Sequence, residues 1–236
     1  MCFEKMYKLV AFDMDGTLIR GHSWVKLHEY FGTLEVSIEN LMAYDRGEIS
    51  YDEFMRRDIN AWLRARNSKI HVSEICKVLD DFEFMPHAEF VVETLRTHDV
   101  KIGIITGSLD MLAAEVAAAL NMNFFVANDL EIDDGGFLTG EGVVRVEPRK
   151  KDALLRRIAA EHGVKMEETV AVGDSKYDAS FLRAAGLGLA VCPDDALLAS
   201  GAADFVIYDL REVLTFTLPK SNCETEGAAG QGRARR

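Results

Sequence analysis

The chain predicts an α/β fold, a parallel sheet with helices on both faces and a small helical insertion after the first strand. Three observations carry this prediction. Six short apolar runs, each the length of one buried strand, recur along the chain. Amphipathic helical patterns separate several of them, as parallel strands require because they are joined by crossovers. One stretch, residues 19–84, breaks the alternation and shows helical patterns with no convincing strand.

Residues 7–12 form the first apolar run, which ends abruptly at Asp13. In the insertion, Ser23 stands where it would cap a helix carrying Trp24, Leu27, Tyr30 and Phe31. Ser50 would cap another, with Glu53 placed for a capping box and Phe54, Ile59, Trp62 and Leu63 as its apolar positions. Pro86 lies just before a helix over 88–97, where helix starts favour proline. A strand over 100–106 and a helix over 111–120 follow. The strand over 124–127 leads into 128–146, where Asp133-Asp134-Gly135-Gly136 separates two β-like segments as a hairpin turn does. A helix over 151–162, a strand over 169–173, a helix over 177–185 and strands over 188–191 and 204–207 complete the pattern. The expected division is a core of residues 1–18 and 85–216, a helical cap of residues 19–84 over the strand ends, and a disordered tail of residues 217–236, where the chain turns to Pro, Ser, Glu, Gly and Arg.

A chain of 236 residues, 48% hydrophobic and 28% charged, has enough apolar surface for a full globular core. Its net charge of −12 argues against a nucleic-acid partner, because phosphate backbones are held by clustered Lys and Arg. A small anionic substrate is compatible with that charge, since one cation and one lysine can meet it locally. Cys2, Cys76, Cys192 and Cys223 lack any CxxC spacing and read as free thiols of a reducing compartment. With no apolar run of membrane-spanning length and no leader-like start, the expectation is a cytoplasmic protein with no membrane partner. Nothing in the sequence speaks to oligomeric state.

Four elements bear chemistry, and each lies at the end of a predicted strand or the start of a helix. In Asp13-Met14-Asp15-Gly16-Thr17 the two aspartates are two apart on an extended chain and point the same way. Two such carboxylates repel unless a cation sits between them, and Mg²⁺ suits that task. One carboxylate could then attack phosphorus while the other protonates the leaving alcohol. Alone, the pair also reads as a loop start with two solvated aspartates. Thr106-Gly107-Ser108, before a helix, reads as an anion nest or simply as a helix cap. Lys151 opens a helix, where the dipole mildly disfavours a cation. Asp174 emerges after the apolar strand Val170-Ala171-Val172, with Asp178 four residues on. That segment could complete a hard-cation site, or supply a helix cap unaided.

In this order, these residues resemble the four motifs of the haloacid dehalogenase superfamily, and within it the phosphoserine phosphatase group; the resemblance spans nearly all of residues 7–210. It implies a Rossmann-like core with an inserted cap, Mg²⁺ as cofactor, and a small phosphorylated metabolite as substrate. It makes Asp13 the nucleophile and Asp15 the general acid and later base. Thr106 and Gly107 would contact the phosphoryl group, Lys151 would offset charge, and Asp174 would bind the metal with Asp13 and the Asp15 backbone carbonyl. Asp178 would orient Lys151 or a metal-bound water. A phosphotransferase or mutase of the superfamily would use the same motifs, and a non-catalytic phospho-ligand-binding protein is a further alternative.

Two departures bear on the substrate. The family commonly has Asn where this chain has Tyr177. Phosphoserine phosphatases grip the substrate amine with a cap glutamate and its carboxylate with a cap arginine. An ungapped alignment puts His22 and Asp58 there, with Arg56 and Arg57 adjacent to the second position. His22 and Asp58 are therefore the candidate substrate-binding residues of the cap, while Trp62 and His87 read as packing or surface residues.

Overall fold

The computed structural model describes residues 7–219. Its first strand, β1 (Leu9–Phe12), is the apolar tetrapeptide LVAF and is wholly buried. It pairs in parallel with β2 (Lys101–Leu109) on one side and β5 (Thr169–Gly173) on the other. Beyond β2 lie β3 (Phe124–Ile132) and the antiparallel β4 (Leu138–Val143); beyond β5 lie β6 (Leu187–Val191) and β7 (Phe205–Ile207). The seven-stranded sheet therefore runs β4-β3-β2-β1-β5-β6-β7, parallel except at the β4 edge. Strands buried on both faces need no polar alternation, which is why they read as apolar runs.

The period-two geometry of β1 divides its side chains between two layers. Val10 and Phe12 face one cluster, built with Val91, Val92 and Leu95 of α5 (Ala88–Thr97) and Leu112 and Val116 of α6 (Asp110–Ala119). Leu9 and Ala11 face the other, built with Leu155 and Ile158 of α7 (Lys151–Glu161), Phe181 and Leu182 of α8 (Ala179–Ala184) and Leu197 of α9 (Asp195–Ser200). Each such aliphatic side chain contributes about 1.5–3 kcal/mol on full burial. This is the expected Rossmann-like α/β architecture with helices on both faces.

Between β1 and α5 come four helices: α1 (Ser23–Phe31), α2 (Leu34–Asp45), α3 (Tyr51–Arg66) and α4 (Val72–Leu79). Leu27, Ile59, Trp62 and Ile75 from them join the same apolar cluster as Phe12. Trp62 is fully buried and donates its indole N–H to His28 Nδ1 at 3.2 Å, a packing role as expected.

Several local expectations are corrected. Ser23 is the first helical residue of α1 and not its cap; His22 holds the N-cap position and makes no capping bond. Ser50 does cap α3, accepting from Glu53 N at 3.2 Å, but the Glu53 carboxylate turns to Arg56 and Arg57, leaving the capping box half-made. β2 continues past residue 106 to Leu109, and β3 runs unbroken into the hairpin. A further helix, α10 (Glu212–Thr217), places Thr217 in a buried position, so residue 217 does not belong to the expected tail; residues 220–236 lie outside the described residues. Of the cysteines, Cys76 and Cys192 carry free thiols, whereas Cys2 and Cys223 fall outside the described residues. Among the described residues, no helix is long and apolar enough to cross a membrane.

Candidate active site

β1 lies between β2 and β5, so the residues that leave these three strands at their carboxyl ends must meet, as ligands do on parallel α/β sheets. Asp13 follows β1, is 7% exposed, and is fixed through its N–H to Val172 O at 2.8 Å. Its Oδ1 accepts from Lys151 Nζ at 2.5 Å. The Lys151 side chain, 3% exposed, also donates to Asp178 Oδ1 at 2.7 Å. Asp178 is fully buried, and its Oδ2 accepts from the backbone N–H groups of Asp174 and Ser175, each at 3.1 Å. It therefore holds both the lysine and the turn that presents Asp174. Gly173 makes this approach possible: a Cβ there would stand 2.5 Å from the Asp178 carboxyl carbon.

Asp174 Oδ1 accepts from Thr17 Oγ1 at 2.7 Å, which ties the end of β5 to the loop after β1. That loop turns at Gly16, where φ is +78° and a Cβ would collide with the Asp174 carboxylate. Asp15 is tied to the start of α1. Its Oδ2 accepts from Ser23 N at 2.8 Å and Ser23 Oγ at 2.6 Å, while its Oδ1 is sealed from solvent without a hydrogen-bond partner. Ser23 Oγ further bonds Ser108 Oγ.

Carboxylate groups of Asp13, Asp174 and Asp178 bring oxygens within 4.8 Å of one another. Burial, reinforced by the neighbouring aspartates, raises the Asp13 carboxyl well above its usual range despite Lys151. Burial likewise raises Asp15 against the hydrogen bonds from Ser23, and pushes Asp174 up to about 6. Burial opposes charge on Lys151, but Asp13 and Asp178 outweigh it and hold the ammonium protonated. One lysine among so many carboxylates leaves negative charge uncompensated, and that donor set fits a hard divalent cation. Asp178 is the poorest ligand of the three, because both its oxygens are already engaged.

Thr106 and Gly107 line the same cavity, but on a bulge within β2 and not in a nest at the start of a helix. Pairing with β3 jumps from Ile105↔Val126 to Leu109↔Asn128, so residues 106–108 of β2 stand opposite residue 127 alone. Bulges of this kind re-aim side chains beside sites. Asn128, fully buried, takes the place of the lost ladder. Its Nδ2 donates to Gly107 O at 2.9 Å and Val146 O at 3.0 Å, and its Oδ1 accepts from the N–H groups of Arg145 and Val146. Tyr51 of α3 donates its hydroxyl to Gly107 O at 3.0 Å. The sequence reading does not reach Asn128 or Tyr51, nor the bonds of Thr17 to Asp174 and of Ser23 to Asp15; an Asn directly after the apolar run 124–127 is the one available signal, and it reads equally as a hairpin start.

Of the two cap candidates, His22 is exposed and lines the cavity. Asp58 does not. It is fully buried inside the helical layer, accepts from Asn40 Nδ2 at 2.6 Å and lies 3.2 Å from His28 Nε2. The structure therefore removes Asp58 from the substrate-contacting set; its carboxylate serves the interior of the cap. Arg56 and Arg57 are exposed and paired with Glu53. Tyr177 borders the cavity and donates its hydroxyl to Asp45 Oδ1 at 2.8 Å. Lys176 and Arg149 reach the same carboxylate at 2.5 and 2.7 Å, so three groups from the sheet layer converge on the end of α2.

Known proteins share both sequence and architecture. Phosphoserine phosphatase SerB2 of Mycobacterium tuberculosis is 32% identical over 231 residues, covering 97% of this chain. The chain spans only 55% of that relative's length, and 44% of the Streptomyces coelicolor phosphoserine phosphatase, which is 32% identical over 190 residues. The phosphoserine phosphatase of Methanocaldococcus jannaschii is 26% identical over 215 residues, covering 90% of this chain and 99% of its own. A solved structure described as a phospho-aspartyl intermediate analogue of phosphoserine phosphatase superposes with a TM-score of 0.76 at 26% identity, over 90% of this chain and 99% of the other. The profile of the haloacid dehalogenase-like hydrolases matches residues 7–186, and the chain belongs to that family.

Proposed function

We propose that this chain is a Mg²⁺-dependent phosphomonoesterase that acts through an aspartyl-phosphate on Asp13, with a small phosphorylated metabolite as substrate. One observation carries the reading: a buried carboxylate, hydrogen-bonded by a buried lysine, shares a 4.8 Å cluster with a second strand-end aspartate in a cavity open to ligand. Asp13, Asp174 and the Asp15 carbonyl would hold Mg²⁺, which when bound neutralises phosphate charge and polarises phosphorus.

The chain's own groups supply the rest. Thr106 and Gly107 hold the phosphoryl oxygens, and Lys151 offsets charge between Asp13 and phosphate. The Asp13 carboxylate attacks phosphorus in line, and the bond from phosphorus to the alcohol oxygen breaks. That oxygen takes a proton from Asp15, whose buried carboxyl is raised towards its protonated form. Water then attacks phosphorus and gives its proton to Asp15, the bond from phosphorus to the Asp13 carboxylate oxygen breaks, and inorganic phosphate departs. Most of the rate gain comes from placement and fixed charge. Helices α1–α4 act as the cap, forming the wall opposite the strand ends. Free thiols at Cys76 and Cys192 fit a cytoplasmic enzyme.

The test is phosphate release from a panel of phosphomonoesters, with and without Mg²⁺, in water labelled with heavy oxygen. The expected product is inorganic phosphate carrying one labelled oxygen, formed only with Mg²⁺ and absent for Asp13→Asn. Metal-independent turnover, or full turnover by Asp13→Asn, rejects the assignment. Transfer to an added sugar without label entering phosphate identifies a phosphotransferase instead.

A further inference from the structure

We infer that the alcohol part of the substrate is uncharged and carries an apolar or aromatic body, so that zwitterionic esters such as phosphoserine are poor ligands of this pocket. The inference rests on the phosphomonoesterase reading and names the substrate class for the same cavity.

The cavity measures about 430 Å³, which leaves room beyond the phosphoryl group for a substantial leaving group. From the cap, its wall is made by Trp24, Val25, Leu41, Tyr44, Tyr51 and Phe54, with the Ser37 hydroxyl beside them. These are the residues that a substrate's alcohol would meet, and none bears a formal charge. Val25 and Leu41 are each more than a third exposed, so their carbon surface is open to a ligand.

The acids and basic groups of the cap and rim that could recognise an amino-acid head are, His22 apart, otherwise placed. Asp58 is sealed inside the helical layer against Asn40 and His28. Arg56 and Arg57 are held by Glu53. Lys176 lines the cavity but is paired with Asp45, and Asp194 caps α9 through Leu197 N while accepting from Lys176 N. His22 alone among the ionisable cap residues lining the cavity remains exposed, and it immediately precedes Ser23, whose N–H and hydroxyl hold Asp15. A carboxylate and an ammonium brought against this wall would lose water without gaining partners.

The rings do not favour a quaternary ammonium ion either. The Arg149 guanidinium already lies 4.3 Å from the Tyr44 ring centre, and Lys176 lies 5.0 Å from that of Tyr177. Tyr44, Tyr51 and Phe54 pack against one another at 5.3–5.8 Å between ring centres, a continuous surface and not an open cage. Such a surface matches a neutral chain or ring.

The experiment uses the full Mg²⁺-loaded chain and four alkyl esters of comparable leaving ability: phosphoserine, phosphocholine, hexyl phosphate and 2-phenylethyl phosphate. The expected kcat/KM for 2-phenylethyl phosphate exceeds that for phosphoserine by about 100-fold or more, with hexyl phosphate ahead of phosphocholine. Calorimetric Kd values with Mg²⁺-loaded Asp13→Asn, which need no turnover, are expected in the same order. If no ester is hydrolysed but that Kd order holds, the hydrolase reading fails while the substrate class stands. Phosphoserine equal to or better than the apolar esters, phosphocholine best of the four, or no binding of any ester overturns the inference. Leu41→Arg, on an exposed helix position, should narrow the preference against phosphoserine by about tenfold; an unchanged ratio also counts against the wall as selector.

Discussion

The two walls of the cavity are built on opposite principles. On the sheet side, acids and a lysine crowd together, and their hydrogen bonds run from strand end to strand end: Asp13 to Lys151, Lys151 to Asp178, Asp178 to the Asp174 backbone, Asp174 to Thr17. On the helical side, the lining is rings and aliphatic carbon with its few charges directed elsewhere. The first wall is held by a chain of hydrogen bonds that joins the ends of β1 and β5 to the first turn of α7. The second is made of single side chains on helices, with Tyr51 bonded to a strand at Gly107 O. On the proposed function, chemistry and selection would thereby be carried by separate parts of the chain.

The sharpest way to break this contrast is to alter one residue on each side. Asp13→Asn, on the sheet side, is expected to lower kcat by at least about 10⁴-fold while the far-UV spectrum and cooperative unfolding persist. A comparable loss from Leu41→Arg would erase the distinction. Next in size is Lys151→Met, which leaves two buried carboxylates without their cation. Its expected cost is about 3–5 kcal/mol, measured by urea unfolding. Third, Mg²⁺ at about 100 times its Kd should add close to 2.7 kcal/mol of stability, and Asp174→Ala should abolish that gain in a thermal-shift titration.

Smaller effects belong to the joints between the walls. Asn128→Ala leaves Gly107 O without its amide donor and should cost about 1–3 kcal/mol with a fall in kcat. Asp45→Ala removes the shared partner of Lys176, Tyr177 and Arg149 at a half-exposed site, an expected loss under about 1 kcal/mol with a rise in KM. Burial alone would raise the Asp45 carboxyl, but hydrogen bonds from Lys176 and Tyr177, with the Arg149 charge, hold it below the usual range. A depressed folded value means that the contribution of Asp45 is complete above the unfolded carboxylate value near 4 and fades as pH falls through the folded one. Stability of the variant and the parent should therefore converge in acid, as read by unfolding at stepped pH.

Much of the sheet wall was legible before any coordinates, because buried parallel strands write themselves as apolar runs and the reactive residues stand at their ends. Asp13, Asp15, Lys151 and Asp174 all line one cavity from widely separated positions in the chain. The β2 bulge is not legible: Thr106, Gly107 and Ser108 look like the end of a strand, and side chains distant in sequence, Asn128 and Tyr51, satisfy Gly107 O where the ladder lapses. The cap misled for a different reason. Counting offsets from Asp13 selects a position without knowing which side of a helix it occupies. Phe54, Asp58 and Trp62 recur at intervals of four and therefore share one stripe of α3. Since Phe54 and Trp62 are buried, that spacing already placed Asp58 on the inward stripe.

Asn128 has a consequence that reaches the edge of the sheet. Its amide spends both donors and accepts twice, riveting Gly107 to the chain at Arg145 and Val146 just beyond β4. A side chain so fully occupied has no idle valence to trade with solvent. Peripheral as the hairpin looks, its backbone protons at those two residues should exchange only as fast as the β2 bulge at Gly107 opens, and damage at the rim should be felt at the centre.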